Sequence, residues 1–176
     1  LGLEHPVASP NSDASRPALL SKWNHQGYTV MSETTSPSGL WPQWFGPLDI
    51  QALQHLYGEN SETLKAGAQF MLLSDTMGAT LAPAILPANQ GHVFDASKLS
   101  VGALIDLRAG QASSVGLNTT GIAFGNLVLG FDSPVQKAVG SSHDDVFIGN
   151  NLDNFFWVGL GNDNVEGAGG LNTVVL

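Results

Sequence analysis

Asp145 and Asp163 stand eighteen residues apart in a stretch dense in glycine and asparagine, where the sequence repeats in nines. Gly140–Ile148, Gly149–Trp157, Val158–Glu166 and Gly167–Val175 each match, with decay, the nonapeptide G-G-x-G-x-D-x-U-x. The chemistry of that pattern is oxygen ligation of calcium. Glycines let a tight turn aim its carbonyls inward, the sixth-position carboxylate closes on the ion, and the eighth-position apolar residue enters the core. The eighth positions are Phe147, Phe156, Val165 and Val174, and the sixth are Asp145, Asn154, Asp163 and Asn172. If each full turn of chain spans two repeats, the first stacks on the third and the second on the fourth. Asp145 and Asp163 then meet on one edge, while Asn154 and Asn172 supply no charge on the other. One calcium ion is expected, not a ladder of them; the competing reading is a turn ladder with no ion.

Other reactive side chains form weaker patterns. The five histidines, His5, His25, His55, His92 and His143, show no H-x-x-x-H spacing, and a catalytic zinc needs three protein ligands and a water. Ser142-His143-Asp144 are neighbours in sequence, but adjacent residues point apart, and no G-x-S-x-G elbow is present. Gly159-Leu160-Gly161 lacks the third glycine and following helix of a dinucleotide site.

Composition narrows the partners. Six basic against fifteen acidic residues give a net charge of −9, which disfavours nucleic acid and anionic membranes. No cysteine is present, so disulfides and thiolate metal sites are excluded. No apolar run approaches the ~18 residues of a membrane span. Hydrophobic residues make up 43%, enough for a folded core. A first residue of Leu rather than Met reads as a fragment or processed product.

Four zones must position these groups. Residues 1–45 read as ordered loops rich in Ser, Pro and Trp. Residues 47–57 predict a helix, with Pro47 at the first turn, apolar Leu48, Ile50, Leu53, Leu56 and Tyr57, and Gly58 as the stop. Leu99 to Leu107 alternates in hydrophobicity and Ile122–Leu129 is a second apolar run; both predict strands. The fourth zone is the repeat.

These segments together resemble the serralysin family of secreted bacterial zinc metalloproteases, over most of the chain. Leu1-Gly2-Leu3-Glu4-His5-Pro6 is similar to the close of the long metzincin zinc motif, and Tyr28–Ser32, around Met31, to its Met-turn. Gly46–Asn60 is similar to the segment linking protease to calcium domain, and Phe94-Asp95-Ala96-Ser97 and the repeats follow in the family's order. Thr173–Leu176 is similar to the apolar end of a type I secretion signal. The resemblance implies a mainly β chain, a parallel β-roll/β-sandwich calcium domain preceded by a truncated metzincin C-terminal subdomain with one clear helix. Residues 1–58 would be the metzincin remnant and 59–176 the β-roll domain.

The resemblance also implies ligands. His5 would be the third zinc ligand, with zinc bound only if an N-terminal half supplies the H-E-x-x-H helix; Met31 would be structural. Carbonyls of Ser141, His143, Val158 and Leu160 would join Asp145 and Asp163 around calcium. Three positions depart from the family: Glu33 replaces the tyrosine that reaches zinc, and His92 and Gln136 replace acidic calcium ligands. The expected function is a calcium-stabilised, extracellular segment without peptidase activity of its own, its partners a protease N-terminal half or other copies of itself. The alternatives are an active, esterase-like hydrolase reusing the fold and a non-catalytic binding or assembly module. Trp23, Trp41, Trp44 and Phe45 are the candidates for an uncovered, self-associating patch.

Overall fold

The computed structural model describes residues 19–42, 45–58, 70–79, 82–84, 92–131 and 135–176. His5 and Trp44 lie outside them, and the division expected after residue 58 adjoins 59–69, which lie outside them too. Among the described residues the chain is mainly β, with one α-helix and mostly parallel strand pairs.

The helix α1 spans Pro47–Tyr57, as its composition predicts. Proline fits the first position because the missing N–H has no intrahelical partner there. Asp49 gives the helix its anchor. Its carboxylate accepts the Gly46 and Val30 amides, each at 2.8 Å, and the Thr29 hydroxyl. Three donors satisfy a side chain that is fully buried. The Met31 turn, whose amide donates to Thr29 Oγ1 at 3.1 Å, is thereby fastened to the helix start. The apolar stripe is only partly used. Leu48 joins a cluster with Tyr28, Val128, Trp23 and Phe131, whereas Leu56 and Tyr57 are exposed. Trp23 meets Phe131 edge-on at 5.8 Å between centroids, and Tyr28 donates its hydroxyl to Gly110 O at 2.6 Å. Trp23 therefore folds back on the sheets, while Trp41 stays exposed.

Short strands follow. In the first half they are β1 (Phe70–Leu72), β2 (Ala82–Ala84), β3 (Val93–Asp95), β4 (Leu104–Asp106), β5 (Ala112–Ser113), β6 (Leu117–Asn118), β7 (Gly121–Ile122) and β8 (Leu127–Leu129). After them come β9 (Lys137–Val139), β10 (Val146–Ile148), β11 (Phe155–Trp157), β12 (Asn164–Glu166) and β13 (Thr173–Val175). A five-stranded sheet runs β1-β3-β9-β11-β13, parallel throughout, and a parallel three-stranded sheet runs β12-β10-β4. A third sheet, β2-β8-β5, mixes one parallel and one antiparallel pair.

The repeats supply the register. Phe147 pairs with Val165, and Phe156 with Val174. The first repeat thus lies beside the third and the second beside the fourth, each eighteen residues apart. The eighth positions fill the space within. Phe147 and Phe156 are fully buried and meet at 5.5 Å, and Val165 packs partly against them. Val174, on the outermost strand, is half-exposed. Leu99, Ala103, Ile105 and Leu107 also enter this core, although the strand itself covers only Leu104–Asp106. The predicted strand over Ile122–Leu129 is broken. Gly125 takes φ +57, and buried Asn126 leaves the ladder, its side chain accepting Val115 N at 2.9 Å and donating to Met77 O and Val115 O.

Candidate functional site

The parallel register brings the two aspartates together at a turn edge. Asp163 Oδ1 accepts the backbone amide of Asp145 at 2.9 Å. Asp145 in turn accepts the amide of Ala103 at 2.7 Å, so one acceptor position climbs the edge from turn to turn. Its other oxygen takes the Ser141 amide at 2.7 Å, and the Ser141 hydroxyl reaches both oxygens at 3.1–3.2 Å. Burial raises the Asp145 pKa above the usual carboxylate value, its amide donors pull the other way, and the Asp163 charge adds to the rise. Both oxygens of buried Asp145 are thus hydrogen-bonded, and the Asp163 carboxylate adds a second negative charge at the same edge.

The local oxygen set is of the kind a hard cation takes. Glycines make the approach feasible. Gly159 has φ +91 and Gly161 has φ +128, and a Cβ at Gly159 would collide with Ser141 O. At Gly161 it would lie 2.7 Å from His143 O, and at Gly140 it would strike Val158 O and come within 2.8 Å of Asp145 Oδ2. Ser141 O, His143 O and Val158 O therefore crowd the same turns as the two carboxylates. Leu160 sits between Gly159 and Gly161 with its side chain exposed. Among the described residues no three His, Asp or Glu side chains cluster as a metal group, so an ion here depends on backbone oxygens.

The opposite edge has the same backbone and different chemistry. Asn172 Oδ1 accepts the Asn154 amide at 3.0 Å, the counterpart of Asp163 and Asp145. Its Nδ2 donates to Gly167 O and Gly169 O, each at 3.0 Å. Asn154 Oδ1 accepts the Asn150 amide at 2.7 Å, and its Nδ2 donates to Leu152 O and Asn150 Oδ1. Asn150 also reaches back, donating to Leu107 O and Val135 O. Asn150 and Ala103 are not among the residues that the repeat pattern marks as ligands. The signal for Asn150 lay in the second repeat position, where a glycine is expected.

Among the described residues the other candidates assemble no third partner into a site. Ser142 Oγ lies 3.4 Å from His143 Nδ1 on an exposed turn, but the Asp144 carboxylate takes the Asn162 amide at 2.8 Å, in the third repeat. His92 is fully buried, Glu33 is exposed, and Gln136 Nε2 donates to Asp153 O. Asp95 caps its own turn, accepting the Ser97 amide at 2.9 Å, with Phe94 and Ala96 in the core. Among the described residues no helix is long and apolar enough to cross a membrane. No protein-family model matches this chain, and no curated protein matches it either.

Proposed function

We propose that this chain is the calcium-stabilised β-roll portion of a secreted, serralysin-like zinc metalloprotease, without peptidase activity by itself. The observation that carries this reading is the eighteen-residue parallel register that sets the Asp145 amide on the Asp163 carboxylate. A β-roll with one turn per two nonapeptides would give this register, and it is the arrangement the repeat pattern calls for. The ion would be held by Asp145 and Asp163 with carbonyls of Ser141, His143, Val158 and Leu160. When bound it would supply the positive charge that the Asp145 and Asp163 carboxylates lack.

Extracellular calcium modules bind with dissociation constants of about 10⁻⁴–10⁻³ M. Millimolar calcium then adds about 0.4–1.4 kcal/mol to folding through mass action. Zinc belongs with a different part of the fold. His5 would contribute one ligand to a site completed by an N-terminal half bearing H-E-x-x-H, and Met31 would be structural. Calcium titration calorimetry on chelator-treated protein tests the reading. A single exothermic or endothermic event near one ion per chain, lost in Asp163→Asn, is the expected result; no binding at millimolar calcium overturns it.

A further inference from the structure

We infer that the side-chain amides of Asn154 and Asn172 take the place of a cation on their edge, so that each turn's demand for an ion is set by whether its sixth residue is Asp or Asn. The two edges share one acceptor role. Asp145, Asp163 and Asn172 each receive an amide from the neighbouring turn through Oδ1. Only oxygen can accept that N–H, which fixes the orientation of Asn172 and aims its Nδ2 at Gly167 O and Gly169 O. The Asn150 amide fixes Asn154 in the same way, leaving its Nδ2 on Leu152 O.

Nine residues earlier in the repeat, the counterparts of Gly167, Gly169 and Leu152 are Val158, Leu160 and His143. There the sixth residue is an aspartate, which when ionised only accepts hydrogen bonds. By the repeat, these carbonyls stand where the asparagine edge meets an N–H, and Val158 O lies beside the Asp145 carboxylate at the Gly140 turn. In the first two repeats the second position is matched to this difference; in the third and fourth it is Gly159 and Ala168. Ser141 donates its hydroxyl to Asp145, whereas Asn150 Oδ1 accepts from Asn154 Nδ2. The polarity of positions two and six reverses together, as it must if one edge carries its own donors and the other borrows positive charge from an ion.

For the aspartate turns the inference rests on the calcium reading; for the asparagine turns it does not. The test is thermal melting of the full chain in chelator and in 5 mM calcium. Asn172→Asp keeps the acceptor and deletes the donor, so in chelator its Tm should fall by roughly 3–6 °C, the size of one or two lost hydrogen bonds in a chain this long. Asp163→Asn should do the opposite: a chelator Tm raised by about 2–4 °C, with no further rise in calcium. If Asn172→Asp and Asp163→Asn both melt in chelator within a degree of the parent, the amide clamp is wrong. If instead the parent chain shows no calcium shift while Asn172→Asp still loses stability, the clamp stands and the calcium reading falls.

Discussion

His25 is the residue whose protonation the structure opposes most plainly. Its Nδ1 accepts the Gly27 amide at 3.0 Å, its ring lies 4.8 Å from that of Tyr28, and burial lowers its pKa below the usual 6.5. The unfolded chain therefore takes the proton more readily. The stability this histidine contributes is full above pH 6.5 and is lost as the pH falls through that value toward the lowered folded one. Tm should drop between pH 7.5 and 5.5, and His25→Asn, which keeps an acceptor without a titrating ring, should remove part of that drop. Identical pH slopes for the two proteins would contradict it. The calcium edge makes a second prediction at this scale. Asn172→Ala leaves the calcium-induced shift intact, because that edge carries no charge, whereas Asp163→Asn abolishes it; calcium melts of the two variants decide.

Among the elements, β10 and β11 bring two of the largest side chains into a core that strands before the repeats also fill. Phe147 on β10 and Phe156 on β11 are fully buried and in ring contact across it. Phe147→Ala should cost about 3–5 kcal/mol, the usual penalty for emptying a packed phenylalanine site. Denaturant unfolding measures it, and a loss under 1 kcal/mol would mean the rings do not hold the stack. Much of this was legible in the sequence. The helix Pro47–Tyr57 announced both its ends through Pro47 and Gly58, and the nine-residue period gave the eighteen-residue pairing. The run at Ile122–Leu129 misled, because Gly125 turns the chain and Asn126 bonds to Val115 and to Met77 in the 3-10 helix Asp75–Ala79. Asp49 was hidden for another reason. Its bond to Gly46 is the local contact of a third helical residue with its N-cap, but its bonds to Thr29 and Val30 span a separation no local pattern links. The asparagine network was half visible: the sixth positions stood out, but their donors act on carbonyls whose direction only the turn geometry sets.

For the whole molecule, the net charge of −9 sets the electrostatic background. Neutralising two neighbouring carboxylates relieves part of that self-repulsion. The sequence contains no H-E-x-x-H, so the account expects no zinc-dependent casein cleavage by this chain alone. Cleavage that needs zinc and disappears in His5→Ala would contradict that. The central claim is that calcium stabilises the fold through Asp145 and Asp163, and scanning calorimetry of chelator-treated protein tests it most directly. Adding 1 mM calcium should raise Tm by about 1–5 °C, the shift expected of a site with extracellular affinity. An unchanged Tm would contradict the claim and leave a metal-free stack held by Phe147, Phe156 and the asparagine turns.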